Sequence, residues 1–263
     1  MTDETLQKAR ELYESGLSLE KTAKALGIGK TTVLFAFRRN GIETRQAYLN
    51  EDPVDHNFFE VLDSDAKAYF AGFLLADGYI RDQSANPSIH LVLQAQDHHI
   101  LESLREVVGT RNPVHVTPRI CSIVWTSAKM AQDLLRYSIF PRKTKRKKFL
   151  IQNVPEEFHG SFIRGFFDGN GWISHSTRIN WLIGFGDGEE FLEQLRDYLC
   201  DRFGLYRIKV TTHGGSNLMS WSAKKDVRTL LHFMYKGATC YLFRKHKKAM
   251  KCIREYEGED ATL

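Results

Sequence analysis

The chain is poor in cysteine and proline, with four of the first and six of the second among 263 residues. Cys121, Cys200, Cys240 and Cys252 lie far apart, with no C-x-x-C pair and no histidine at zinc-ligand spacing. That pattern excludes a disulfide miniprotein and predicts reduced core thiols in an intracellular protein. His98 and His99 stand beside a helix start without a second ligand pair, so no zinc site is expected there. Long apolar runs are missing too: the longest, Ala68 to Ala76, stops at Asp77, well short of the about 20 residues a membrane helix needs. Met1 to Ala9 is polar and charged, so neither a secretory leader nor a transit peptide is expected. Charge of one sign is barely in excess, 37 Lys plus Arg against 32 Asp plus Glu, and matters only where it clusters. What is present, 42% hydrophobic and 12% aromatic residues, suffices for a sizeable core and for two domains.

The first segment reads as three short helices. Leu6, Ala9, Leu12 and Tyr13 recur at helical spacing until Gly16. Ser18 is placed to cap a second helix, with Leu19, Ala23, Ala25 and Leu26 on its packing face and Lys21 and Thr22 exposed. After the turn Gly27-Ile28-Gly29, a third helix is predicted from Lys30 to Arg39, with Val33, Leu34 and Phe37 inward and Gly41 as its stop. Helix, tight turn and helix in this order resemble the helix-turn-helix of DNA-binding domains. In that arrangement Lys30, Thr31 and Thr32 would face base edges, and Arg38, Arg39 and Arg45 would lie near phosphates. A small helical bundle that binds protein or nothing is the alternative. Asn50 to Asp55, with Pro53, reads as linker.

The rest of the chain repeats itself. Tyr69 to Ile80 has its counterpart in Phe162 to Ile173, and strand-like runs follow at Ile89–Leu93 and Asn180–Phe185. Asp97 and Asp187 then open helices over His98–Val108 and Glu189–Phe203, and a second run ends in Trp125-Thr126-Ser127-Ala128-Lys129 or Trp221-Ser222-Ala223-Lys224. Each half finishes in a helix, Met130–Tyr137 or Asp226–Tyr235, and a basic stretch. Matching residues are offset by 93 (Asp77, Asn170), 90 (Asp97, Asp187) and 95 (Lys129, Lys224), so order is kept with small insertions. The prediction is two α-β-β-α-β-β-α units with antiparallel sheets.

In each repeated motif small residues stand four apart, Gly72 with Ala76 and Gly165 with Gly169, which lets two helices cross with backbones in contact. Phe73, Leu74, Phe166 and Phe167 would point back into the two cores. Asp77 precedes Gly78, whose freedom at positive φ suits a helix C-cap. A carboxylate beside a helix C-terminus is unfavourable alone, and two such ends side by side would seek a cation such as Mg²⁺. Phe70 to Gly78 and Ile163 to Gly171 resemble the two nonapeptide signatures of the LAGLIDADG homing endonucleases. The resemblance runs from about Ser64 to the C-terminus. It implies an α+β protein, a duplicated αββαββα fold with antiparallel saddle sheets over the DNA major groove, preceded here by the small all-α helix-turn-helix domain. It also implies a monomer with an internal pseudo-two-fold axis and divalent metal (Mg²⁺, or Mn²⁺ or Ca²⁺) held at the ends of the motif helices. The metal ligands would be Asp77 and position 170, with Ala76 and Gly169 beside them, and an active-site lysine would follow each half, at Lys143 and Lys245. The expected organisation is a helix-turn-helix domain over 1–49, a linker over 50–63, and halves over 64–148 and 149–263.

One departure bears on activity: position 170 is Asn170, a neutral amide where the signature has an acid. Asp168, two residues back, would face nearly the opposite side of the helix. Three readings stay open: a substitution that traps uncut DNA, decay to a binding protein, or an active variant whose Asn tolerates metal; strand nicking fits any of them. Leu75, where the signature has an acid, matches Asp168 at a non-catalytic position. The basic stretches 142–148 and 244–251, including Arg142, Lys145, Lys147 and Lys247, point to DNA phosphates. Exposed strand residues His90, Gln94, Arg119, Ser122, Asn180 and Arg207 are the candidate base readers. These features favour a site-specific double-strand endonuclease; a transcription regulator on a degenerate scaffold and an RNA-splicing maturase are the alternatives. With Met1 first and Ala261-Thr262-Leu263 last, an intein is not expected, so the protein would be free-standing or intron-encoded.

Overall fold

The computed structural model describes residues 1–44, 52–82, 87–141, 147–177 and 180–258. Met1–Glu51 forms one compact unit and Asp52–Leu263 another. The first unit contains α1 (Asp3–Glu14), α2 (Leu19–Ala25) and α3 (Lys30–Arg39). Thr2 and Ser18 accept from the N–H groups of Thr5 and Lys21, capping α1 and α2. Gly27, at φ +66°, makes the turn into α3. Ala9, Tyr13, Ala23, Val33 and Phe37 form the core of this unit. Two expectations are corrected here: Thr22 is fully buried and Ala25 exposed. The stripe that α2 turns inward runs Leu19, Thr22, Ala23, Leu26, spacing i, i+3, i+4, i+7, and Ala25 falls outside it. Leu34 is half-buried beside the Val33 and Phe37 that centre the inner face of α3.

The second unit is an internal duplication. Its first half comprises α4 (Asp65–Ala76), β1 (Tyr79–Arg81), β2 (Ser88–Gln94), α5 (His98–Val108), β3 (His115–Val116), β4 (Ile120–Thr126) and α6 (Ala128–Leu134). The second half comprises α7 (His159–Asn170), β5 (Gly171–Ser176), β6 (Asn180–Asp187), α8 (Glu189–Phe203), β7 (Thr211–His213), β8 (Ser216–Trp221) and α9 (Lys224–Tyr235), and α10 (Phe243–Glu257) follows. The sheets are antiparallel with matching strand orders, β1-β2-β4-β3 and β5-β6-β8-β7. The matching registers pair Ile89 with Trp125 and Ile183 with Trp221. Alternation sends Ile89, Leu91, Leu93, Cys121, Ile123 and Trp125 into the core, as it does Ile183, Phe185, Met219 and Trp221. The opposite face of the first sheet carries mostly polar side chains, and that of the second mixes Ser174 and Ser220 with Trp172, Leu182 and Leu218. Among the described residues no helix is long and apolar enough to cross a membrane.

Part of the expected linker belongs to this unit. Val54, Phe58, Phe59 and Leu62 are buried in its core, the N–H of Asp55 bonds to the Val108 carbonyl at 2.9 Å, and Asp52 accepts from the Thr110 hydroxyl. The polar and proline content of the segment masks four apolar anchors. Gly78 also differs from expectation, since its φ is not positive. It is required for space: a Cβ there would lie 2.8 Å from both Cα and O of Leu74.

Candidate functional site

The two motif helices, α4 and α7, cross at backbone contact. A Cβ on Gly72 would overlap the Phe162 carbonyl oxygen, and one on Gly165 would overlap that of Tyr69. One end of the crossing is locked by a buried ion pair. Arg164 Nη2 lies 2.5 Å from Asp65 Oδ1, and Arg164 also donates to the carbonyls of Cys240 (2.8 Å) and Met234 (2.6 Å). Ser161 and Thr239 complete the carboxylate's partners. Burial alone would raise the Asp65 pKa, but Arg164 and these hydroxyls reverse it and hold it at about 2. Further along, Asp168 is fully buried and accepts from Tyr69 Oη (2.8 Å), Tyr235 Oη (2.9 Å) and the Leu242 N–H (2.8 Å). Burial pushes its pKa up against the pull of Lys245. Asp168 is a structural link between α4, α7 and α9, away from solvent.

At the other end the motif termini meet. Asp77, the exposed C-cap of α4, places Oδ2 3.0 Å from the Cβ position of Gly169 in the last turn of α7. A Cβ on Gly169 would strike the Ala76 methyl, so only glycine allows this approach. Asn170, half-buried, donates through Nδ2 to Asp187 Oδ2 at 2.7 Å. Asp187 closes β6 with its side chain only 5% exposed, forms an ion pair with Lys147, and accepts from the Gly188 N–H at 2.7 Å. Lys147 also reaches the Leu75 carbonyl at 3.4 Å. This burial corrects Lys147 as a phosphate contact: its ammonium is committed to Asp187.

Lys245 is buried as well, and its ammonium donates to the carbonyls of Phe167 (2.6 Å), Asp168 (2.8 Å) and Gly171 (2.6 Å). Burial lowers its pKa to about 8 in spite of the nearby Asp168 carboxylate. Two of the three N–H bonds thus serve last-turn carbonyls of α7 and the third that of Gly171, where β5 begins, which leaves none for a substrate. The expected catalytic use of Lys245 is replaced by helix capping. Arg244, next in chain, is the base that faces the site. It pairs with Asp97 (Nη2 to Oδ2, 3.1 Å), remains 42% exposed, and lines a cleft of about 370 Å³ with Asp77, Gln94, Asp97 and Gly169. Arg244 and Asp97 were legible as charges but not as a pair. Neither Asp97 nor Asp187 caps a helix with its side chain; each is drawn to a base supplied by the other half, Arg244 or Lys147.

The remaining candidates divide. Gln94 and Ser122 lie on the outer face of the first sheet, exposed and half-buried, and Arg119 is exposed in the β3–β4 turn. His90 shares the face but is 8% exposed, because Tyr79 stacks on its ring at 4.4 Å between centroids and Ser88 bonds its Nε2. Asn180 is exposed at the start of β6, with φ +64°. Arg207 is not on a strand: it follows α8 and is held by Asp197 and Asp201 of that helix. Lys247 is exposed on α10. In the first unit Lys30, Thr31, Thr32, Arg38 and Arg39 are all exposed on α3. Arg45, Arg142, Lys143 and Lys145 lie outside the described residues. Among the described residues no group of three or more His, Cys, Asp or Glu is placed to hold a metal ion.

No protein-family model matches the chain, and no curated protein matches it in sequence. Solved structures do match it. The LAGLIDADG homing endonuclease I-GzeII in complex with its DNA target aligns over 74% of this chain and 93% of its own, at 11% identity and TM-score 0.53. The meganuclease I-AabMI bound to uncleaved DNA aligns over 72% and 89%, at 14% identity and TM-score 0.52. I-SmaMI bound to uncleaveable DNA aligns over 74% and 91%, at 12% identity and TM-score 0.52. The duplicated sheets and the backbone-to-backbone crossing of α4 and α7 are therefore those of the LAGLIDADG saddle fold.

Proposed function

We propose that the protein is a site-specific double-stranded DNA endonuclease that hydrolyses phosphodiester bonds where the ends of α4 and α7 meet. The observation that carries this reading is Asp77, a carboxylate at a helix C-terminus set 3.0 Å from the Cβ position of Gly169 on the other motif helix. The structural relatives bound to DNA support a duplex as the partner. Both motif helices belong to one chain, so a monomer completes the crossing. The exposed α3 of the first unit, with Lys30, Arg38 and Arg39 in no ion pair among the described residues, would lengthen the DNA contact. Such a protein would work inside the cell, in the cytoplasm or at the nucleoid.

A divalent cation, Mg²⁺ or else Mn²⁺ or Ca²⁺, fits the donors in kind, because Asp77, Asn170 and the carbonyls of Ala76 and Gly169 all offer oxygen. In charge it fits one side better, since Asn170 contributes none. When bound, the cation would polarise the phosphate and lower the pKa of a water. Arg244, part-exposed in the same cleft, is suited to hold a phosphate oxygen, while Lys245 keeps the end of α7 in place. One carboxylate in place of two fits a chain that nicks more readily than it cuts both strands. A sequence-specific transcription regulator on this scaffold is the second reading, favoured by Asn170, which brings no charge to the second motif end.

The test incubates the chain and its Asp77→Asn variant with a randomised duplex library and Mg²⁺, recovering bound and cut molecules separately. The endonuclease reading expects cutting or nicking by the wild-type chain and binding alone by Asp77→Asn. Specific binding without cleavage by either would leave the regulator. Equal cutting by both would remove Asp77 from the chemistry.

A further inference from the structure

Asn170 occupies the place that, by the internal repeat, matches Asp77, and its partner there is a buried acid from the neighbouring strand. We propose that Asp187 is a positioning residue for the second half of the site. It grips the Asn170 amide by Nδ2 and thereby commits Oδ1 as a neutral oxygen donor to a hard divalent cation or to water bound to one. The inference rests on the reading of a cation at Asp77.

The chemistry of the pair decides which way the amide faces. A carboxylate only accepts hydrogen bonds, so the NH₂ branch of Asn170 must be the one 2.7 Å from Asp187 Oδ2. The planar amide then turns its oxygen away from Asp187. Among the described residues nothing donates to that oxygen, and the side chain is only half-buried. Asp187 is not itself available as a ligand: Oδ1 accepts from Gly188 N–H, Oδ2 accepts from Asn170 and Lys147, and 5% of the side chain is exposed. Lys147 neutralises this carboxylate and touches the Leu75 carbonyl, which ties the network to the last turn of α4. The amide is therefore held from behind by a neutralised acid. The same geometry makes Asn170→Asp alone a poor repair, because the new carboxylate would abut Asp187 with one ammonium between two charges. The reciprocal exchange, Asn170→Asp with Asp187→Asn, keeps the amide–carboxylate bond with its roles reversed and turns the charge outward.

The experiment titrates Mn²⁺ into the full chain without DNA and follows free Mn²⁺ by electron paramagnetic resonance, with thermal melting in EDTA as the control for folding. Asp187→Asn and Asn170→Leu are each expected to weaken Mn²⁺ binding about tenfold, the scale of losing a ligand's orienting partner. The reciprocal exchange is expected to bind at least as tightly as wild type. Asn170→Leu leaves Asp187 and Lys147 paired and tests Oδ1 as the donor. If Asp187→Asn does not fold, Asn170→Asp alone tests Asp187, since it is expected to bind more weakly than the reciprocal exchange, and equal binding by the two overturns the proposal. Wild-type affinity in Asn170→Leu, or in folded Asp187→Asn, overturns the proposal. If Asp77→Asn abolishes Mn²⁺ binding while those variants keep it, the inference falls and the cation reading at Asp77 stands. If wild type binds no better than Asp77→Asn, both fall.

Discussion

Replacing Arg164 by Met tests how far the motif crossing depends on one buried cation. The side chain is 2% exposed, makes three hydrogen bonds, to Asp65 and to the carbonyls of Met234 and Cys240, and lies over the Tyr69 ring. Met keeps much of the stem but removes every donor. Breaking a buried pair by deleting one partner costs about 3–5 kcal/mol. The lower part of that range is expected here, since Asp65 is 24% exposed and keeps Ser161 and Thr239. Asp65→Asn should cost less, about 2 kcal/mol, because Arg164 retains both carbonyls. The double variant should fall short of the sum by at least about 1 kcal/mol if the two residues act as a pair. Acid adds a second readout. The Asp65 pKa is depressed from 3.8 to about 2, so its stabilisation is complete above pH 4 and is lost as pH falls towards 2. That difference corresponds to about 2 kcal/mol, and it should vanish in Asp65→Asn. Urea unfolding at pH 7 and pH 2.5 measures all of these. A loss under about 1 kcal/mol in Arg164→Met, or strict additivity, would refute the ion pair as the lock of this crossing.

Gly165→Ala should destabilise the second unit by about 2–3 kcal/mol, since the added methyl overlaps the Tyr69 carbonyl and α4 and α7 must part; an unchanged denaturation midpoint would mean the helices are not in backbone contact. Thr22→Val should stabilise the first unit by about 1 kcal/mol, because the Thr22 hydroxyl is buried with no hydrogen-bond partner; calorimetry showing a loss would mean that the hydroxyl is satisfied in solution. Lys30→Ala with Arg38→Ala should lower the salt dependence of DNA binding by about one unit of slope each, and an unchanged slope would remove α3 from the DNA contact.

Local rules made much of this molecule legible. The two motifs, their small residues four apart and the bounds of α5 and α8 follow from spacing, and the structure places them at those positions. What escaped were choices between a local and a distant partner. An acid just before a helix reads as a cap, yet Asp97 bonds Arg244, 147 residues away, and Asp187 bonds Lys147. Arg207 looks like a strand residue until Gly204 ends α8 in a left-handed turn and the following segment returns along that helix. His90 has the right alternation for an outward reader, but a stacked tyrosine from the adjacent strand covers it. Asn170 was visible as a missing charge, whereas the acid behind it was not, because seventeen residues of hairpin separate the two.

Duplication made the halves alike in strand order, and a few side chains made their ends unlike in charge. The C-terminus of α4 carries a carboxylate, Asp77, on top of the negative end of its dipole. The C-terminus of α7 carries an amide, and the Lys245 ammonium already satisfies two of its carbonyls and that of Gly171 just beyond. A cation drawn to this crossing is therefore drawn to one side of it. If the proposed chemistry is right, the two strands of a duplex meet unequal environments, and the strand facing Asp77 is cut first. On a supercoiled plasmid carrying one target, the nicked circle should accumulate before linear product. Linear product without a nicked intermediate would show that the second half is as competent as the first, and would require the charge that Asn170 lacks to come from elsewhere.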